Sequence, residues 1–190
     1  MIIIILLWSL NIGIRLPPQS SVSFAYSNMA WEARLNRIQI GNTCGAHAVM
    51  AVIFGYKKEI SDPNDIYNSI DSKMGNGYIY PWGLTRYLGE KGIRVSTYYC
   101  GLLNRNQKEQ ILKESITYGK PVILIVGNKR YLHYITILGF GNDSYHIYDS
   151  MFKGDLNLTF PGNRTITSTD LMDLWESARF KRISINMAIM

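Results

Sequence analysis

The sequence predicts an α+β fold in which a helical lobe packs against an antiparallel sheet. Helical patterns fill the first half of the chain, and most strand-like apolar runs follow them. The segment 44–54 is apolar nearly all round, which indicates a helix buried in the core. Two later apolar runs, 131–139 and 145–149, flank turn-forming residues at 141–143 and predict a hairpin. Helices followed by strands in this way are typical of α+β proteins.

Most of the predicted helices have a local start or stop signal. Asn42 or Thr43 can cap the first helix, and Gly55 can end it. Asp62 is followed by a proline, which favours the start of a second helix, and Asn104 can cap the fourth. The helices predicted in this way cover residues 44–54, 62–70, 81–88, 105–118 and 170–175.

The remaining apolar runs predict the strands of the sheet. Strands are expected at residues 93–99, 121–126, 131–139, 145–149 and 180–188. The run 121–126 is apolar throughout, so we expect a buried strand there.

The composition argues against several classes of function. With 190 residues, 47% hydrophobic and 18% charged, the chain fits one ordinary globular domain. The net charge is +6, but no run of basic residues exceeds two, which indicates a solvated surface and not a nucleic-acid interface. Cysteines and histidines lack metal-ligand spacing, and there is no glycine-rich phosphate loop. We therefore predict no metal, no cofactor and no nucleic acid.

The first 25 residues differ from the rest of the chain and predict an export signal. Residues 2–14 are largely apolar, over a length typical of a signal peptide and short for a membrane span. Ser23-Phe24-Ala25 is a small-x-small pattern that fits cleavage after Ala25. We expect a secreted or extracytoplasmic protein with its folded domain in residues 29–190. A retained membrane tether through residues 2–14 and a start at Met29 are the alternatives.

A cysteine, a histidine and an aspartate, far apart in sequence, are the candidates for chemistry. Cys44 lies at the expected start of a helix, where unpaired N–H groups and a partial positive charge favour the nucleophilic thiolate. His133 lies near the start of one strand of the hairpin, and Asp149 ends the other. The turn at 142 brings His133 and Asp149 nearly opposite, so the carboxylate can accept the imidazole N–H. These three residues predict a thiol hydrolase.

Three further residues bear on this site. Gln39 can donate its side-chain amide to a developing oxyanion, beside the N–H of Cys44. His47 lies three residues after Cys44 and is an alternative base, but we favour His133, which would face the sulfur across a cleft. A disulfide between Cys44 and Cys100 would block the nucleophile. Cys100 ends an apolar, aromatic, strand-like run, so we expect it to be a small buried thiol instead.

Four segments together carry a family resemblance. They are Gln39 with residues 42–46, then residues 119–124, 133–140 and 148–150. Their order and spacing resemble those of papain-like cysteine peptidases, and in particular the branch that processes bacteriocins with double-glycine leaders. The resemblance covers about residues 29–190.

The resemblance implies a papain-like α+β fold, with a buried nucleophile helix on an antiparallel sheet, and a cysteine peptidase acting on a peptide or protein. It implies Cys44 as nucleophile, His133 as general base and acid, Asp149 as the orienting residue and Gln39 in the oxyanion hole. Two other functions fit the same residues. One is acyl transfer of the transglutaminase or amidase type, and the other is a binding module without catalysis.

Overall fold

The protein has the predicted α+β fold. The computed structural model describes residues 33–127, 131–154, 161–180, 183–184 and 187–189. Within them the helices are α1 (Cys44–Lys57), α2 (Pro63–Ser69), α3 (Pro81–Glu90), α4 (Arg105–Thr117) and α5 (Ser168–Ser177), preceded by a 3-10 turn at Ala33–Leu35. The strands are β1 (Thr97–Tyr99), β2 (Val122–Gly127), β3 (Leu132–Gly141), β4 (Ser144–Tyr148), β5 (Arg164–Thr167), β6 (Arg179–Phe180), β7 (Ile183–Ser184) and β8 (Met187–Ile189).

Six of these strands form one antiparallel sheet in the order β1-β8-β2-β3-β4-β5. The predicted hairpin is part of this sheet: β3 pairs with β4, with Ile137 opposite Ile147 and an irregularity in register just beyond this pair. Strands β6 and β7 pair only with each other within the described chain.

Two predicted helix caps are confirmed. The Asp62 carboxylate accepts the backbone N–H of Asn64 at 2.8 Å, and proline follows it at the start of α2. The Asn104 side chain accepts the N–H of Gln107, whose own side chain accepts the N–H of Asn104, both at 3.0 Å. This reciprocal pair satisfies two N–H groups that a helix start leaves without partners.

The predicted end of α1 at Gly55 is wrong. The helix continues to Lys57, and Lys58 then closes it with a left-handed backbone conformation (φ +57°), donating its N–H to the Phe54 carbonyl at 2.9 Å. Thr43 does occupy the cap position, but its hydroxyl donates to Ile40 and makes no cap bond to the helix.

The strand prediction also needs correction near both ends of the sheet. The expected strand 93–99 is limited to β1, and β5 was not predicted from the sequence. The expected single strand 180–188 is divided among β6, β7 and β8, of which only β8 joins the main sheet. A strand of two or three residues carries too little alternation to be recognised from its pattern.

Helix α1 packs across one face of the sheet and forms the centre of the main core. The residues of β3 that face it include Tyr134, Thr136 and Leu138, and the Thr136 hydroxyl donates to the Ala48 carbonyl in the middle of α1 at 3.2 Å. Every residue from Cys44 to Phe54 is buried, as expected for a helix apolar on all sides.

Helices α4 and α5 cover the opposite face of the sheet. Trp175 of α5 is fully buried there, with Leu112 of α4 and with Ile135 and Ile137 of β3. Burial on both faces explains why β2 is apolar at every position.

Residues 1–25, including the expected tether at 2–14, lie outside the described residues, so export and anchoring stay predictions. Among the helices that the structure describes, none is long and apolar enough to cross a bilayer.

Two glycines of α3 provide a matched test of this packing. A Cβ on Gly83 would lie 2.9 Å from the Ser72 Cβ and 3.2 Å from Ile70 and Ile79 methyl carbons, whereas a Cβ on Gly89 meets nothing within 4 Å. We expect Gly83→Ala to lower the free energy of unfolding by about 1–3 kcal/mol because of overpacking. Gly89→Ala should raise it by about 0.5–1 kcal/mol through helix propensity.

Urea unfolding of both variants measures the difference. Equal effects of the two substitutions would contradict the close approach of α3 to residues 70–79.

Candidate active site

Cys44 is the first residue of α1, as the sequence predicted. Its side chain therefore lies where the N–H groups of the first turn have no helical acceptor and the helix carries partial positive charge. The following residue, Gly45, allows close packing: a Cβ there would lie 3.2 Å from Leu84 and 3.3 Å from the Tyr134 ring. The start of α1 is thus pressed against the sheet beside Tyr134.

Three groups around the sulfur of Cys44 favour its thiolate form. Burial by itself would raise the pKa of Cys44, but the hydrogen bond and positive charge of His133 lower it, as do the backbone N–H of Tyr134 and the hydroxyl of Tyr78. The net direction is below the ordinary thiol pKa. The site therefore favours a thiolate, even though Cys44 is only 1% exposed.

His133 connects Cys44 to Asp149. Its Nε2 lies 2.8 Å from Oδ1 of Asp149, which leaves the other ring nitrogen for the sulfur. Burial would lower the pKa of His133, but the hydrogen bonds and negative charges of Asp149 and Cys44 raise it to about 9. The imidazole is thus protonated at neutral pH, and both of its N–H groups have acceptors.

Asp149 is fixed by contacts to both carboxylate oxygens. Oδ1 also accepts the N–H of Met151 at 3.0 Å, and Oδ2 accepts a guanidinium N–H of Arg164 at 3.2 Å. Burial would raise the pKa of Asp149, but these donors and His133 lower it below its usual range. The carboxylate therefore stays charged and keeps a fixed orientation towards the imidazole.

Asn163 holds the backbone of Asp149, a role that the sequence did not indicate. Its Oδ1 accepts the N–H of Asp149 at 2.8 Å, and its Nδ2 donates to the carbonyls of Asp149 at 2.9 Å and Phe152 at 3.0 Å. Asn163 is 3% exposed, so these bonds satisfy groups that water cannot reach. The only signal in the sequence is an Asn just before β5, which is also common in turns.

Gln39 lies in the loop before Cys44, and its side chain is held at both ends. Its Nε2 donates to the Gly41 carbonyl at 3.0 Å, and its Oε1 accepts the Ser150 hydroxyl at 2.7 Å. Its backbone N–H also donates to the Ser150 carbonyl at 2.9 Å. Gln39 therefore joins the loop before Cys44 to the turn after Asp149, with one amide N–H already occupied.

His47, the alternative base, belongs to a separate buried network. Its Nδ1 lies 2.9 Å from the Tyr148 hydroxyl, which donates to the Arg37 carbonyl at 2.8 Å. Burial and the nearby charge of Arg37 lower the pKa of His47 to about 4. The ring is neutral near pH 7, and Tyr148 rather than Cys44 fixes its position. The third histidine, His146, lies on β4, where its Nδ1 is 3.3 Å from the hydroxyl of Thr165 on β5.

Both cysteines are free thiols, so the disulfide alternative does not apply. Cys100 packs in the core under α4 and α5, and burial raises its pKa to about 11. Cys100 is therefore an unreactive thiol, and it serves as an internal reference against which a lowered pKa of Cys44 can be detected.

The structural comparisons identify proteins with the same fold. No protein-family model and no curated protein sequence matches the chain. A C39-like peptidase from Bacillus anthracis is 13% identical, with a TM-score of 0.59, over 90% of this chain and 96% of that one. The peptidase domain of Streptococcus ComA, a bifunctional ABC transporter of a quorum-sensing pathway, is 17% identical, with a TM-score of 0.54, over 81% and 94%.

A third similar structure is a double-glycine-motif protease from an AMS/PCAT transporter, in complex with the leader peptide. It is 15% identical, with a TM-score of 0.52, over 80% of this chain and 86% of that one. These similarities establish the fold. In fold, they confirm the resemblance found in the sequence.

The two histidines nearest Cys44 should titrate far apart. In an NMR titration of the three histidines, we expect His133 to stay protonated up to about pH 9 and His47 to stay neutral down to about pH 4. Replacing Cys44 with alanine removes a negative charge and an acceptor, so it should lower the pKa of His133 and leave His47 nearly unchanged. A His133 pKa near the ordinary ~6.5 in the wild type would contradict this electrostatic description.

Proposed function

We propose that this protein is a cysteine peptidase in which Cys44 is the nucleophile. The observation that carries the proposal is the buried chain of contacts from the Cys44 sulfur through His133 to Asp149, at the start of a helix. A catalytic cysteine needs a thiolate at neutral pH, a group that can deliver a proton, and a third group that orients it. These three side chains meet those needs.

The resting enzyme holds a thiolate and an imidazolium. Asp149 keeps the imidazolium charged and fixes its ring, so the N–H that faces the sulfur is ready to transfer. In acylation the thiolate attacks the peptide carbonyl carbon, a C–S bond forms, and the carbonyl oxygen takes the electron pair. The Cys44 N–H and the Gln39 amide are the proposed donors to that oxyanion.

The acyl-enzyme then forms and is hydrolysed with His133 in both proton-transfer roles. As the C–N bond breaks, His133 gives its proton to the leaving amine, and a thioester on Cys44 remains. The now neutral imidazole takes a proton from water, the resulting hydroxide attacks the thioester, and Cys44 leaves as thiolate. Proton and charge return to the resting arrangement after each cycle.

A peptide is the proposed substrate. The double-glycine-motif protease of the same fold was crystallised with a leader peptide. Cys44, His133 and Asp149 are at most 4% exposed here, so side chains around the sulfur must move before a peptide can reach it. An extended peptide needs less opening than a folded protein, which favours unstructured segments as substrates.

Peptide hydrolysis should depend on Cys44 and His133 together. With a peptide library and mass spectrometry of the products, we expect Cys44→Ala and His133→Ala each to lower kcat/KM by about 10³-fold or more, and the double variant to lose little further activity. Cys100→Ala is the matched control and should retain activity. Products that carry an added amine in place of water would contradict a peptidase and indicate acyl transfer.

Gln39 can be tested separately from the loop that it stabilises. We expect Gln39→Ala to lower kcat by about 10²–10³-fold because an oxyanion donor is lost. Ser150→Ala removes the hydroxyl that holds Gln39 but keeps the amide, so its effect on kcat should be much smaller. If the two variants lose equal activity, Gln39 acts only through the link between the loops.

A further inference from the structure

Tyr78 contacts the reacting sulfur from a part of the chain that no motif marked. It lies in the 71–80 loop, which is the segment between α2 and α3. Its hydroxyl lies beside Cys44, and its ring lies against that of Tyr134 with 6.1 Å between centroids. The hydroxyl thus approaches Cys44 from a different element than His133.

The 71–80 loop is fixed at three points around Tyr78. The Asn42 side chain donates to the Asn76 carbonyl at 2.6 Å, and the Tyr67 hydroxyl donates to the Gly77 carbonyl at 2.8 Å. The Tyr134 hydroxyl donates to the Ile79 carbonyl at 2.9 Å. These anchors come from the loop before Cys44, from α2 and from β3, so the position of Tyr78 is set by the same elements that build the site.

Tyr78 stays a hydrogen-bond donor over the whole range in which the enzyme would work. Burial and the negative charge of Cys44 both raise the pKa of Tyr78 well above its ordinary value. A protonated phenol beside a buried sulfur can donate to a thiolate, and a buried charge without enough donors is costly.

We propose that Tyr78 is a further catalytic residue, whose hydroxyl donates to the Cys44 thiolate and stabilises it before attack. This role rests on the proposed function, since it requires Cys44 to be the nucleophile. Tyr78, the Tyr134 N–H and the His133 imidazolium then surround the charge with three donors. As the C–S bond forms, the sulfur loses its charge and the phenol is released from it.

Such a donor lowers both the pKa of Cys44 and the nucleophilicity of its thiolate, and these two changes affect the reaction rate in opposite directions. A hydrogen bond to a charged group is typically worth about 1–2 pH units of pKa, so its loss should raise the pKa of Cys44 by this amount. A more basic thiolate is also more nucleophilic once it has formed, by about 3- to 10-fold for this shift. Loss of the Tyr78 hydroxyl should therefore slow Cys44 at low pH and accelerate it at high pH.

The test is the rate of Cys44 alkylation by iodoacetamide against pH, with the modified residue located by mass spectrometry. Tyr78→Phe removes the hydroxyl and keeps the ring. Tyr80→Phe is the matched control because it makes the same change in the same loop, where the Tyr80 ring stacks on Trp82 at 4.1 Å between centroids. We expect the midpoint for Tyr78→Phe to rise by about 1–2 pH units, with a higher plateau, and Tyr80→Phe to follow the wild type.

The outcomes separate this role from the proposed function. If the wild-type midpoint is low and Tyr78→Phe leaves it unchanged, the role of Tyr78 is overturned while the Cys44–His133 pair stands. A higher plateau with an unchanged midpoint would mean that the loop had only opened access, which also overturns it. If the wild-type thiol itself reacts only near pH ~8.5, the proposed function fails and no thiolate is present for Tyr78 to stabilise.

Discussion

The hydrogen bonds of His133, to Cys44 on one side and Asp149 on the other, hold opposite charges in a part of the core that water hardly reaches. Desolvation works against every one of these charges, since burial alone would raise the pKa of Cys44 and Asp149 and lower that of His133. Breaking such a buried pair by removing one partner typically costs about 3–5 kcal/mol. The surrounding structure is therefore organised to supply partners for each charge.

These partners come from several elements, and this explains the architecture around the site. The start of α1 supplies the cysteine together with the positive end of a helix, and the first residues of β3 supply His133 and the Tyr134 N–H. Asp149 directly follows β4, and Asn163, just before β5, and Arg164, its first residue, hold the backbone and the carboxylate of Asp149. Antiparallel pairing of β3, β4 and β5 brings these groups to the same end of the three strands.

The sequence was sufficient for the features that depend on local chemistry. An apolar run with a cysteine at its start predicts α1, and the hairpin does bring the side chains of His133 and Asp149 together, at 2.8 Å. The two residues are not directly opposite as expected, since Thr136 pairs with Tyr148 and residue 135 therefore lies opposite Asp149. The cover on the second face of the sheet was harder to predict, because its two helices are separated along the chain: α4 precedes β2, and α5 follows β5. Short strands such as β5 lack a pattern of their own.

The supporting residues could not be predicted for a related reason. Tyr78 and Asn163 lie in irregular segments whose side chains are directed by distant contacts, such as the Asn42–Asn76 bond across 34 residues. A tyrosine or an asparagine in a turn has an ordinary explanation in sequence terms. Only the folded structure distinguishes these two residues from other polar residues in loops.

The central claim is that Cys44 is a thiolate because of His133. The most direct measurement is the ultraviolet absorbance of the thiolate against pH in the wild type, in His133→Ala and in Cys44→Ala as the blank, since absorbance needs no reagent to reach the buried sulfur. We expect one thiolate per molecule near pH 6–7 that is absent from both variants. Absorbance that rises only near pH ~8.5 and is indifferent to His133→Ala would contradict the claim.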